Sequence, residues 1–76
     1  MTRTNLELMV IKHKIKVDTI ANVAGLTRQG YYNKVNFKSE WRLSEMIKLY
    51  KFFNQYENIT LDLLFHDYIE RALNEN

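Results

Sequence analysis

Ile20, Ala21, Val23 and Ala24 run into Gly25, one of only two glycines in a 76-residue chain that has no proline. With so few breakers, a chain in which 46% of residues are hydrophobic reads as short helices joined by polar turns. Gly25 is the strongest turn signal, because glycine takes the left-handed conformation that ends a helix without a Cβ penalty. Thr27 follows at the right place to cap the next helix. The expectation for residues 17–35 is therefore helix, glycine turn, helix, with Ala21 small at the crossing and Ile20, Leu26 and Tyr31 filling the angle.

The rest of the chain follows the same rule. Leu6, Met9, Val10 and His13 share a helical face, with Thr4 or Asn5 available to cap it. NFKSEWR (36–42) is polar enough to be a loop. Leu43, Met46, Ile47, Tyr50 and Phe53 mark the apolar face of a fourth helix. Leu61, Leu64, Phe65, Tyr68, Ile69, Ala72 and Leu73 continue a stripe over one C-terminal helix at about 61–73, capped by Thr60. The predicted fold is all-α: one compact five-helix domain over 1–76 with an extended amphipathic C-terminal helix. There is no cysteine, so disulfides, thiolate nucleophiles and zinc–thiolate sites are excluded. No apolar run reaches the length of a bilayer span and the N-terminus is too polar for a signal peptide, so a cytoplasmic protein without a membrane role is expected.

Charge is unevenly spread. Residues 1–51 carry ten Lys/Arg against Glu7, Asp18, Glu40 and Glu45, a net +6, whereas residues 52–76 carry Arg71 against five acids, a net −4. A basic body of this kind fits a polyanionic partner. At about 100° per residue, Arg28, Tyr32, Asn36, Gln29 and Asn33 share one arc of the third helix. Arg, Gln and Asn are the side chains that read purine edges bidentately, and Tyr contacts phosphate or stacks on base methyls.

Enzyme chemistry finds no comparable grouping. His13 and His66 are far apart in sequence, Asp62 and Asp67 do not share a helix face well, and Ser39 and Ser44 lack the strained elbow of a nucleophile. No metal, cofactor or small-molecule substrate is implied.

The segment IANVAGLTRQGYYNKVNFKSEWRLSE resembles the lambda-repressor-like, Cro-type (Xre) helix–turn–helix proteins, and most of all small phage and prophage repressors of low-GC Gram-positive bacteria. The likeness covers residues 5 to about 65. It rests on the I-A-x-x-A-G-L-T turn and on Asn36, Lys38, Ser39, Glu40, Trp41, Leu43, Ser44 and Glu45 after it. It implies a transcriptional regulator that binds a double-stranded, (pseudo)palindromic DNA operator as a homodimer. It places base contacts on Arg28, Gln29 and Asn33 with Tyr32 nearby, and phosphate contacts on Asn36, Lys38 and the start of the second helix; Lys16, Thr27 and Lys34 are expected to add phosphate contacts. The stripe beyond the likeness, Tyr68, Ile69, Ala72 and Leu73, is the expected dimer contact.

Several positions depart from the family pattern. Lys16 and Val17 stand where a capping Ser or Thr and a phosphate-holding Gln are usual. Phe37 replaces a glycine, Val10 and Val35 replace an Arg–Glu pair, and Lys34 replaces an aliphatic residue. The competing expectation is an antitoxin- or antirepressor-like module on the same fold, whose output is a protein partner.

Overall fold

A computed structural model describes residues 3–74. Six helices lie in this range: α1 Asn5–Lys12, α2 Val17–Ala24, α3 Arg28–Val35, α4 Leu43–Phe53, α5 Leu61–Leu64 and α6 His66–Asn74. The chain is all-helical among the described residues. The core joins Leu6 and Val10 of α1, Ile20, Ala21 and Ala24 of α2, Tyr31 and Val35 of α3, Leu49 and Phe53 of α4, and Leu64 and Phe65 around α5. Val10 and Val35 are both buried there, so no charge is needed at either position.

Local signals set the helix ends. Thr4 caps α1 in a reciprocal box: its hydroxyl accepts from Glu7 N–H and the Glu7 carboxylate accepts from Thr4 N–H at 3.0 Å. Gly25 closes α2 at φ 78°, in the left-handed region. Thr27 Oγ1 accepts from Gly30 N–H at 3.1 Å and starts α3. A Cβ on residue 30 would lie 3.2 Å from that hydroxyl oxygen, which gives Gly30 a local reason. Thr60 caps α5 through Leu63 N–H. At the far end of α1, Lys12 and His13 both approach the Glu57 carboxylate, and Lys12 holds that carboxyl below its ordinary range.

Two expectations about helices are corrected. The C-terminal segment is not one helix but two, broken at Phe65. Asn5 takes the place of a continuing turn: its Nδ2 donates to Leu63 C=O at 3.0 Å, and its backbone N–H donates to Asp67 Oδ2 at 2.7 Å. The break seats Phe65 fully in the core and swings α6 against the domain. Secondly, the buried face of α4 is shifted in part. Phe53 is buried and Met46 and Tyr50 pack on the core as expected, but Glu45 and Leu49 are buried in place of Leu43 and Ile47, which are 63% and 37% exposed.

Two contacts hold Glu45 on the buried side. Its Oε1 accepts from Arg42 N–H at 2.8 Å, completing the first turn of α4, and pairs with Lys34 Nζ at 3.0 Å. Lys34 Nζ also donates to Glu40 C=O at 2.7 Å. The two side chains keep only 12% and 10% of their exposure. A buried pair contributes little net stability, but removing one partner strands the other charge. Lys34→Met is therefore expected to cost about 3–5 kcal/mol in urea unfolding. Lys34→Met combined with Glu45→Met should recover most of that loss, short of about 1 kcal/mol for the missing cap.

Candidate nucleic-acid interface

Helix α3 stands on two buried residues, Tyr31 and Val35, with Lys34 turned into its ion pair beside them. Burial of these three leaves Arg28, Gln29, Tyr32 and Asn36 exposed on the remaining surface, with Asn33 partly covered. The turn after α2 sets this orientation. Leu26 N–H donates to Ala21 C=O at 2.9 Å, and Ile20 and Tyr31 close the angle between the helices. The arc computed from helical periodicity is thus reproduced by burial.

The face is internally ordered. Gln29 Nε2 donates to Asn33 Oδ1 at 2.9 Å, which couples the two amides one turn apart. Donor and acceptor capacity remains on both amides after that bond. Arg28 Nη1 lies 3.6 Å from Asp18 Oδ1 on α2, with both side chains mostly exposed. Tyr32 meets the buried Tyr31 edge-on at 5.8 Å between ring centres, which limits its rotation.

Around this strip, Lys16, Thr27, Asn36 and Lys38 are all exposed. Lys16 precedes α2 and makes no capping bond with its side chain. Thr27 uses its oxygen on Gly30 N–H, which leaves the hydroxyl proton available. Lys34 requires a correction. It was expected at a phosphate, but its ammonium is buried between Glu45 and Glu40 C=O, where an external phosphate would have to break the pair.

The 36–42 loop has its own lock. Asn33 C=O accepts from Lys38 N–H at 2.7 Å, and Phe37 adopts φ 64°, the left-handed conformation that glycine takes more cheaply. Its ring offsets that strain by packing 5.0 Å from Tyr68 and under the Arg71 guanidinium at 4.6 Å. Trp41 sits behind the loop as a plug, edge-on to Tyr31, Phe65 and Tyr68.

The expected dimer contact is also corrected in part. Tyr68 and Ile69 turn inward and pack on the core. The Tyr68 hydroxyl donates to Val35 C=O at 3.2 Å and lies 3.2 Å from Thr4 Oγ1. Ala72 and Leu73 stay outside, Leu73 at 73% exposure. Part of the stripe thus serves the chain's own fold, with Tyr68 reaching the end of α3 and the cap of α1.

Two partners of the α3 side chains leave no signal in the sequence spacing. Asp18 falls beside Arg28, and Glu45 is the buried partner of Lys34. Among the described residues no cluster of His, Asp and Glu is placed to hold a metal ion, and no helix is long and apolar enough to cross a membrane. Comparison of the chain with protein-family models, curated proteins and solved structures found no match.

Burial raises the hydroxyl pKa of Tyr31 well above the ordinary value, and the negative charge on Tyr68 and Glu7 adds to it. Burial likewise pushes Tyr68 up to about 12, against an opposing bond from Thr4. Between the ordinary 10.0 and about 12 the folded Tyr68 keeps a proton that the unfolded chain has lost. Stability should therefore be intact below this window and fall as pH rises through it. Alkaline titration followed by circular dichroism and the tyrosinate absorbance should show unfolding and phenolate formation together, and Tyr68→Phe should make the alkaline loss shallower.

Proposed function

We propose that the chain is a sequence-specific DNA-binding regulator of the lambda-repressor-like helix–turn–helix type, with α3 entering the major groove. The observation that carries this reading is the strip of exposed Arg28, Gln29 and Tyr32 with the partly covered Asn33, on a helix whose other side is anchored by Tyr31 and Val35. Its side chains match the donor and acceptor patterns of base edges. The exposed Lys16, Thr27, Asn36 and Lys38 flank it as phosphate contacts, a set that no longer includes Lys34. Operator DNA is the partner, and repression in a phage or prophage setting is the biological role that fits the resemblance.

Reading two half-sites calls for two copies of the chain. With Tyr68 and Ile69 partly buried against the core, the dimer contact rests mainly on the exposed Ala72 and Leu73 of α6. The exposed Leu43 and Ile47 of α4 favour a second reading, an antitoxin- or antirepressor-like module that docks a protein through an apolar face.

Selection of duplexes from a random pool tests the first reading directly. Gln29→Ala and Asn33→Ala are each expected to relax preference at one base position by about 1–3 kcal/mol. Lys38→Ala should weaken every duplex alike and lower the slope of log affinity against log salt by about one. Unchanged binding in all three variants refutes the groove assignment. Salt-insensitive association with a protein, without selected DNA, establishes the second reading instead.

A further inference from the structure

The α2–turn–α3 unit contains a single acid, Asp18, and that acid stands beside the arginine at the start of the exposed strip. The side chains are 75% and 63% exposed, and Nη1 and Oδ1 are 3.6 Å apart. A pair this open and this long contributes almost nothing to folding stability. Asp18 also lies in the first turn of α2, where an acid favours the helix dipole. That explains an acid on α2 but not its position against Arg28. On a face otherwise made of donors and neutral amides, a carboxylate works against any polyanion.

We infer that Asp18 is a specificity residue of this face: it orients the Arg28 guanidinium and repels phosphate, so that tight binding requires Arg28 to find a guanine edge. The inference rests on the DNA reading above. A guanidinium carries five donors in a planar fork, so a carboxylate can hold one side while another meets guanine O6 and N7 together. The pair is loose in the free protein, and it strengthens as α3 meets a duplex and water leaves, which narrows the edges the fork presents. The carboxylate also lies within a Debye length of any backbone that α3 approaches, and its repulsion lowers affinity for all duplexes equally. That common loss cancels in the ratio between duplexes; the ratio widens only through the oriented fork, which strengthens the guanine contact at one sequence and not at others.

The surface position makes the test clean, because Asp18→Asn keeps the shape and should leave thermal unfolding nearly unchanged. Affinities of the wild type, Asp18→Asn, Arg28→Ala and the double variant are to be measured for a selected duplex and a scrambled one across a salt series. Asp18→Asn is expected to bind the scrambled duplex about fivefold more tightly at low salt. It should reduce the selected-to-scrambled ratio by about tenfold. The loss should fall at the position that Arg28→Ala also relaxes, with little further loss in the double variant. If Asp18→Asn leaves the ratio intact, or weakens both duplexes alike, Asp18 is not a specificity residue. If the wild type selects no duplex at any salt concentration, the DNA reading itself fails, and this inference fails with it.

Discussion

The ion pair between Lys34 and Glu45 organises more of this domain than its net energy would suggest. It joins the end of α3 to the start of α4, and it holds the intervening loop through Glu40 C=O and Arg42 N–H. A charge buried to this degree must be met by its partner in one geometry, so the pair restricts how α4 can turn. Leu49 and Phe53, one and two turns along from Glu45, are then carried into the core, and Leu43 and Ile47 are carried out of it. The same pair withdraws a lysine from the surface that the other cations share.

A second hub lies where Thr4 and Tyr68 meet at the end of α3. The Tyr68 hydroxyl touches both Val35 C=O and the Thr4 capping hydroxyl, while Asn5 binds the carbonyl and carboxylate on either side of the α5–α6 break. Trp41 fills the space among Tyr31, Phe65 and Tyr68. Its buried Nε1–H forms no well-made hydrogen bond, yet its positive end favours charge on the nearby Tyr68 oxygen. Helix α3 is thus supported from beneath by residues distant in sequence, and its exposed strip stands on a rigid base.

Order within that strip matters for the proposed recognition. Side chains that must be immobilised on binding cost conformational entropy, and the Gln29–Asn33 bond removes part of that cost in advance. The contact of Tyr32 with Tyr31 does the same for the aromatic member. Arg28 is held more loosely, by an exposed acid, and its geometry is the easiest of the four to change on binding.

What the sequence determined by itself was local. Helix starts at Thr27 and Thr60, the left-handed stop at Gly25, the limits of α2 and α3, and the polar arc of α3 all depend on neighbours within a turn or two, and such interactions leave a readable spacing. Spacing alone allows either Thr4 or Asn5 to cap α1; the hydroxyl of Thr4 does the capping, while Asn5 bonds to the α5–α6 junction. Only the tertiary structure decided the rest. The apolar stripe of 61–73 looked continuous because periodicity does not register a carbonyl captured by Asn5. Lys34 looked available because a charge in sequence carries no sign of the buried acid that will meet it. The face of α4 is legible at Met46, Tyr50 and Phe53 but not at its first turn: hydrophobicity ranks Leu43 above Glu45, whereas a buried partner reverses the ranking. These outcomes depend on groups brought together across the fold, where desolvation and pairing outweigh local propensity.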